Sequence, residues 1–322
     1  MKQNRSSLTA SGIAIVRAIE SEKPAGVRVC YDPYARRFVN GGLFHLIRFF
    51  DKIGYSERAG AGVMGFLAAR ERHIDEYLQA CLNEGLQQLV ILGAGFDARA
   101  YRFDQLKQGV RVFEVDHPAT QAVKVAKLRE IFGDVPEHVT FVAVDFNTQT
   151  LAQRLIESGY DESLKTLFIW QGVTPYLTPE AVDSTLAFVA GDSAPGSSII
   201  FDYMVPSILE DPAKHGEVKR MRRMRRVSGE GLVFGIPAGT VESFLHQRGF
   251  AQIHNADHTF LHDTYFTGVN RSRRVADGYA IATAYVAGRG TRVSSNDATP
   301  RSFVEPQDDI TREEPLWISK RP

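Results

Sequence analysis

The sequence has few of the features that mark several common classes of protein. Its 322 residues include only two cysteines, Cys30 and Cys81, and neither lies at the spacing of a metal-binding cysteine pair. A disulfide framework and a structural zinc site are therefore excluded. No run approaches the roughly 18 consecutive apolar residues of a membrane span. The apolar stretch 12–16 is too short for a secretory signal. We therefore expect a cytoplasmic protein.

The chain also lacks an excess of charge of either sign. It has 38 basic and 38 acidic side chains, and 43% of its residues are hydrophobic. This balance provides no long-range attraction for a nucleic acid or an anionic membrane. The one basic run, 219–226, lacks the aromatic side chains that would stack on bases. We expect a small-molecule partner, with no nucleic acid and no membrane, and the sequence leaves the oligomeric state open.

Strand and helix patterns alternate through the middle of the chain. Short apolar runs predict strands, and apolar residues at helical spacing predict helices. The sequence therefore predicts an α/β fold with a doubly wound, mostly parallel sheet. The predicted strands are 86–92, 110–115, 139–144, 166–170, 197–202 and 250–253, and the predicted helices are 72–84, 119–131, 151–157 and one that begins after Thr178.

The alternation weakens in two places, which suggests a division of the chain. Residues 205–237 are rich in charge and glycine without a strand pattern, and a stretch with several prolines follows Ala287. We expect an N-terminal helical segment (1–85) packed on a core (86–287), an insertion at about 205–237, and a C-terminal tail (288–322).

The glycine turn after the first predicted strand is compatible with two kinds of nucleotide ligand. Gly93 and Gly95 allow a ligand to approach the backbone closely. Glu114 and Asp116 follow about 20 residues later, where a ribose-binding acid is expected. An NAD(P)-dependent oxidoreductase and an enzyme with an adenosyl cofactor both fit this pattern. A non-catalytic nucleoside-binding scaffold is a third alternative.

Two further acidic residues, Asp145 and Asp97, favour the adenosyl cofactor. Asp145 and Phe146 follow the third predicted strand, where Phe146 could contact an adenine ring and Asp145 could accept from its amino group. Asp97 comes directly after the glycine turn and would repel a pyrophosphate. A positively charged sulfonium tolerates this carboxylate, so we expect S-adenosyl-L-methionine as the cofactor.

Several short motifs occur in order between about residues 8 and 286. They are Thr9-Ala10 with 17–20, 32–35, Ala69-Arg70 with Ile74-Asp75, 92–99, 114–118, Asp145-Phe146, and 172–177 followed by Pro179-Glu180. Together they resemble the leucine carboxyl methyltransferase family, in particular its bacterial S-adenosylmethionine-dependent O-methyltransferases. The resemblance implies a Rossmann-like class I methyltransferase fold, with N-terminal helices and a helical lid formed by the insertion.

The resemblance also implies roles for individual residues. Arg70 is similar to the arginine that holds the carboxylate of the cofactor's methionine part, and Arg17 is a second candidate for that contact. Gly93 and Gly95 form the cofactor turn. The ribose would be bound by Asp116 with Glu114 as its neighbour, and the adenine by Asp145 and Phe146.

One position departs from the family pattern. Many relatives carry a glutamate at the end of the fourth strand, where this chain has Gln171. Gln171 can orient cofactor or substrate but cannot act as a base, and we predict Gln171 and Tyr176 as catalytic residues. A phenol acceptor would need a base, whereas a carboxylate is already ionised at neutral pH. We therefore expect methyl transfer to an oxygen, most plausibly a carboxylate, of a small, secondary-metabolite-like acceptor, with S-adenosyl-L-homocysteine as the product.

Three histidines recur every four residues at His254, His258 and His262. On one helix they could form a metal-binding face. Their context predicts a strand followed by a loop, so we interpret them as polar surface and expect no metal site.

Overall fold

The computed structural model of the protein describes residues 6–52, 62–145, 148–206 and 233–287. Three sequence-based expectations fall wholly or mostly outside the described residues. These are Phe146, most of the 205–237 insertion with its basic run, and the tail 288–322.

The described residues form helices and strands that largely alternate along the chain. The strands are β1 (Gln88–Leu92), β2 (Arg111–Asp116), β3 (Val139–Ala143), β4 (Thr166–Trp170), β5 (Ser198–Met204), β6 (Phe250–Ala256) and β7 (Tyr279–Val286). The helices are α1 (Ser6–Ser21), α2 (Ala35–Phe38), α3 (Gly41–Lys52), α4 (Val63–Asn83), α5 (Arg99–Arg102), α6 (Pro118–Phe132), α7 (Leu151–Glu157), α8 (Pro179–Gly191), α9 (Val241–His246) and α10 (His258–Tyr265).

The seven strands form one sheet in the order β3-β2-β1-β4-β5-β7-β6. Strands β1 to β5 are parallel to their neighbours, and β7 lies antiparallel between β5 and β6. Because β1, β2 and β4 are parallel, their carboxyl ends lie at one edge of the sheet, and the strand order reverses between β1 and β4. In open α/β sheets this reversal is where ligands bind. The predicted fold class is confirmed.

Alternate residues of each central strand contribute to different hydrophobic layers. In β1, Leu89 and Ile91 pack with the N-terminal helices, whereas Val90 and Leu92 belong to the layer on the other face. This follows from the period of two in a strand, and it explains why parallel strands covered on both faces read as continuous apolar runs.

The long helix α4 covers the first of these layers and carries residues that lie near the carboxyl edge of the sheet. Its side chains Ile74 and Leu78 are fully buried against the sheet. Helix α1 contacts α2, α3, α4 and α6. The same α4 segment includes Arg70 and Glu71, so packing of the N-terminal helices also fixes side chains near the sheet edge.

Two elements differ from the sequence-based expectations. Strand β7 was not predicted: three of its eight residues are alanines, which are less common in strands than β-branched and aromatic residues. The loop expected around His258 and His262 is wrong: both residues lie on helix α10, whose N-terminus is capped by Asp257 accepting from Phe260 N at 2.9 Å. No helix in the described ranges combines the length and apolar character that a bilayer crossing requires.

The contact of α4 with the segment before β7 leads to a prediction about Gly65. A Cβ at Gly65 would overlap the carbonyl oxygen of Arg274, which is backbone and cannot rotate away. Gly65→Ala should therefore lower the free energy of unfolding by about 1–3 kcal/mol. Gly12→Ala on α1 is the matched control, since nothing lies within 4 Å of its Cβ. We expect the control to be neutral or slightly stabilising in urea unfolding, and equal effects of the two changes would contradict the close contact.

A second prediction concerns His73, which is buried between α4, β6 and α10. Its Nδ1 lies 2.9 Å from the Tyr265 hydroxyl, and its ring lies near those of His254 and Phe260. Burial, with a smaller contribution from His254, lowers the pKa of His73 from 6.5 to about 3. Between these values the unfolded chain binds a proton that the folded protein does not. Stability should therefore fall as the pH drops through this window, by up to about 1.4 kcal/mol per pH unit.

His73→Asn should remove this contribution while keeping an N–H near Tyr265. Between pH 6 and pH 4, the variant's free energy of unfolding, measured by urea titration, should depend less on pH than that of the wild type. His45→Asn on α3 is the control for the loss of an exposed histidine. Parallel pH curves for wild type and His73→Asn would contradict the assignment.

Candidate functional site

The ends of three adjacent strands place the predicted cofactor residues together. Gly93 follows β1, Asp116 ends β2, and Gln171 follows β4. A cavity that is open to solvent lies at this edge. It is lined by Ala10, Ile13, Arg17, Ile91, Leu92, Gly93, Phe96, Asp97 and Gln171.

The turn after β1 needs glycine at both predicted positions. Gly93 has a φ of +66°, and a Cβ there would overlap the side chain of Val173. Gly95 has a φ of +42°, and its Cβ would lie 3.3 Å from that of Ala10. Both conformations favour glycine, and both sites are too tight for a larger side chain. The turn therefore exposes backbone to the cavity.

Asp116 is attached to this turn by a hydrogen bond. Its Oδ2 accepts from Gly95 N and its Oδ1 from His117 N, each at 2.6 Å. Burial raises the pKa of Asp116, and the two N–H groups oppose that shift. The half-buried carboxylate joins the ends of β1 and β2, where a ligand spanning both strands could reach it.

Glu114, the other predicted acid of β2, is fully buried and is not among the residues that line the cavity. Its Oε2 lies 2.7 Å from Lys124 Nζ, and its Oε1 accepts from the Tyr101 hydroxyl at 2.9 Å. Lys124 also donates to the carbonyl of Ala94, in the glycine turn, at 3.4 Å. Glu114 therefore supports the turn through Lys124.

Asp97 occupies the N-terminus of the short helix α5. Its Oδ1 accepts from Arg99 N at 2.7 Å, and its Oδ2 pairs with the Arg99 guanidinium. Burial raises the pKa of Asp97, but the positive charges of Arg99, Arg17 and Lys124 together outweigh it, so the net pKa lies below the ordinary value. The carboxylate thus occupies the position at which a pyrophosphate would need free N–H groups.

Beneath the cavity lies a buried cluster of charged side chains. Arg99 has no exposed surface and pairs with Glu71, Asp75 and Asp97, while its Nη1 donates to Gln171 Oε1 at 2.8 Å. In all, three guanidinium groups face four carboxyl groups. The members are Arg17, Asp32, Glu71, Asp75, Asp97, Arg99 and Arg102.

Arg70 holds the loop after β4 through Asp202. Its Nη1 lies 2.5 Å from Asp202 Oδ2, while Asp202 Oδ1 accepts from Gly172 N at 2.5 Å. Arg70 Nε and Nη2 are buried and make no hydrogen bond within the described residues. A ligand carboxylate would satisfy such donors, although Arg70 is not among the residues that line the cavity.

The remaining predicted residues lie around this edge. Asp145 is half-buried at the end of β3, next to β2 in the sheet. Tyr176 is 36% exposed and lies in the short 3-10 helix Thr174–Tyr176 after β4. Arg17 lines the cavity, but its guanidinium pairs with Asp32 and Glu71 and donates to Phe96 O.

Metal binding has no support within the described ranges, where no three histidine, cysteine or acidic side chains come close enough to hold an ion. His254 lies on β6 and is half-buried beside His73 and Phe260. His258 and His262 lie on α10. The regular spacing therefore spans two elements rather than one helical face.

The sequence interpretation assigned no role to Glu71, Lys124 and Asp202. Asp202 carried a usable signal, because an acidic residue near the end of a buried strand often faces a ligand edge. Glu71 and Lys124 lie on helices, and their partners are distant in sequence. No local pattern identifies them.

The buried ion pair under the glycine turn leads to a prediction. Lys124→Met should lower the free energy of unfolding by about 3–5 kcal/mol, because Glu114 would keep a buried charge without its partner. Adding Glu114→Gln should recover part of that loss, since the unpaired charge is removed. Lys127→Met, on the same helix but outside this ion pair, is the control, and we expect a change within about 0.5 kcal/mol in urea unfolding. Similar losses in the two lysine variants would contradict the pairing.

Relatives with similar sequences carry methyltransferase names. YktD of Bacillus subtilis, named as an S-adenosyl-L-methionine-dependent methyltransferase, is 32% identical over 199 residues, which are 62% of this chain and 65% of that protein. The chain thus spans just under two thirds of that relative. A Mycolicibacterium smegmatis protein of the same description is 33% identical over 231 residues, which are 70% of this chain and 74% of that protein.

Structural comparison and the family model complete the assignment. The crystal structure of a DUF574 family protein from Streptomyces avermitilis is 12% identical to this chain, with a TM-score of 0.51, and covers 85% of this chain and 96% of that one. This likeness concerns the fold alone. The model of the family described as leucine carboxyl methyltransferase matches residues 10–190, which is more than half of the chain. The chain therefore belongs to the leucine carboxyl methyltransferase family of S-adenosylmethionine-dependent methyltransferases.

Proposed function

We propose that the protein transfers the methyl group of S-adenosyl-L-methionine to a carboxylate oxygen of a small-molecule acceptor. The observation that carries this proposal is the cavity at the ends of β1 and β4, whose described lining residues include no available base. Of its lining residues, only Asp97 is a carboxylate, and Arg99 holds it ionised with a lowered pKa. Gln171 is an amide with both of its polar ends engaged.

The geometry of the turn supports an adenosyl cofactor over a dinucleotide. A pyrophosphate binds best at a helix N-terminus with free N–H groups. Here α5 has only four residues, and Asp97 already accepts from Arg99 N. The charge cluster below, with its excess of carboxyl groups, disfavours an anion and suits a sulfonium. These features argue against the oxidoreductase alternative.

Each predicted binding residue then has one task. Arg70 pairs its two buried donors with the methionine carboxylate, and Gly93 and Gly95 admit the ligand to the backbone. Asp116 accepts from the ribose hydroxyls, and Asp145 accepts from the adenine amine. S-adenosyl-L-methionine supplies an electrophilic methyl group on a positively charged sulfur.

The acceptor class follows from the lack of a base among the cavity-lining residues that the structure describes. A carboxylate at neutral pH already has the lone pair that would form the new C–O bond to the methyl carbon, and the electrons of the broken C–S bond would remain on sulfur. The protein needs only to align the two groups and exclude water, which is worth several kcal/mol. A phenol, with a pKa near 10, would need its proton removed first.

The cofactor assignment predicts a ligand preference that calorimetry can measure. The wild type should bind S-adenosyl-L-homocysteine and should not bind NAD. Asp116→Ala should weaken S-adenosyl-L-homocysteine binding by about tenfold or more, because a charge-assisted acceptor for two hydroxyls is lost. Gly95→Val should do the same by adding a branched side chain at a positive φ. Asp134→Ala, an exposed acid after α6, is the control and should bind like the wild type. Binding of NAD, or unchanged affinity in both site variants, would refute the assignment.

The acceptor assignment is tested separately with a radiolabelled methyl group and a panel of carboxylic acids and matched phenols. We expect base-labile methyl esters from the acids and little product from the phenols. Phenolic ethers alone would contradict the carboxylate proposal while leaving the cofactor in place. Cofactor binding without transfer to any acceptor class would favour a scaffold.

A further inference from the structure

Two consecutive residues of α4 hold two consecutive residues of the loop after β4. Arg70 reaches Gly172 through Asp202, which accepts from Gly172 N at 2.5 Å. Glu71 reaches Gln171 directly, because Gln171 Nε2 donates to Glu71 Oε2 at 2.8 Å. Helix α4 therefore fixes this loop at two adjacent residues. It holds Gly172 through the Arg70–Asp202 ion pair and Gln171 through a hydrogen bond from its amide.

The amide of Gln171 has both polar ends engaged. Its Nε2 donates to Glu71, and its Oε1 accepts from Arg99 Nη1 at 2.8 Å. Only a side chain with a donor and an acceptor can satisfy both neighbours at once. A glutamate in this place would still accept from Arg99, but its second oxygen would face the Glu71 carboxylate.

Glu71 is an anion held in a fixed position. It has no exposed surface, and its Oε1 lies 3.7 Å from Arg17 Nη1, 3.0 Å from Arg99 Nη2 and 3.6 Å from Arg102 Nη2. Burial raises the pKa of Glu71, but the three arginines outweigh this and the pKa lies below its ordinary value. The nearby Asp75, on the same helix, shares Arg99 and Arg102.

We propose that Glu71 is a positioning residue of the cofactor site, which requires a neutral amide at position 171 and fixes that amide in one orientation against the cavity. Glu71 acts through Gln171, which lines the cavity. The proposal rests on the proposed function, since it concerns the site of S-adenosyl-L-methionine.

The test is a charge exchange measured by calorimetric titration with S-adenosyl-L-homocysteine at pH 8. Gln171→Glu should weaken binding by about tenfold or more, because two carboxylates would meet at hydrogen-bond distance. Glu71→Gln should weaken it less, because it brings no two carboxylates together and keeps an amide that can hydrogen-bond with Gln171. The double variant Glu71→Gln with Gln171→Glu should bind within about threefold of the wild type, because it again has one carboxylate and one amide. Such a recovery would show that the effects of the two substitutions are coupled. Glu76→Gln, on the same helix and paired with Arg72, is the matched control.

A pH series separates positioning from a purely structural role. Two carboxyl groups in contact share a proton, which raises the pKa of one of them. The affinity of Gln171→Glu should therefore recover between pH 8 and pH 6, while the wild type and the double variant stay nearly constant. Equal affinity of Gln171→Glu and wild type at pH 8 would overturn the proposal. So would a double variant that binds no better than the two single changes predict together.

Two further results keep the test decisive. If Gln171→Glu does not fold, the double variant alone decides, since a folded double variant that fails to bind would overturn the proposal. If the wild type itself does not bind S-adenosyl-L-homocysteine, the proposed function fails. In that case the melting temperatures of the four proteins without ligand still measure the coupling, and additive shifts would overturn it independently.

Discussion

The arrangement of the site depends on one buried cation, Arg99. Its guanidinium has no exposed surface, and it contacts Asp97 in the turn, Glu71 on α4 and Gln171 after β4. A buried charge is tolerated only when it is paired and fully hydrogen-bonded. Each of these three segments must therefore be placed correctly before the others are stable. This requirement connects the packing of an N-terminal helix to the geometry of a cavity formed by strand ends.

Sequence patterns predicted the central sheet because its strands are buried on both faces. Such strands appear as short apolar runs, and β1 and β4 match the predicted runs closely. Strand β7 is also apolar, but three of its eight residues are alanines, which are less typical of strands. Helix α10 has a clear cap at Asp257, but its eight residues include two histidines and two threonines, which are not strong helix formers. Local sequence therefore identified the strands rich in bulky apolar residues, and missed elements whose composition is less distinctive.

The same distinction applies to the site. Gly93, Gly95 and Asp116 were predictable because each lies in or just beyond a strand, and strand order brings them together. Glu71 and Gln171 are 100 positions apart, so their contact depends on how α4 crosses the sheet. Sequence reasoning identified Gln171 as a departure from the family pattern, and the structure supplies its partner. Substitutions of charge at buried sites are interpretable only together with the residue they face.

If the reaction is a methyl transfer to a carboxylate, this rigidity has a chemical use. In-line displacement gains most from alignment, and a site whose buried charges are already paired before a ligand binds loses little order on binding. The charges also act on the ligand. The cluster holds four carboxyl groups against three guanidinium groups, so it attracts a sulfonium. Transfer removes that positive charge and leaves a neutral thioether, which the cluster holds less tightly. The same buried charges that fix the turn therefore favour binding before transfer and release after it.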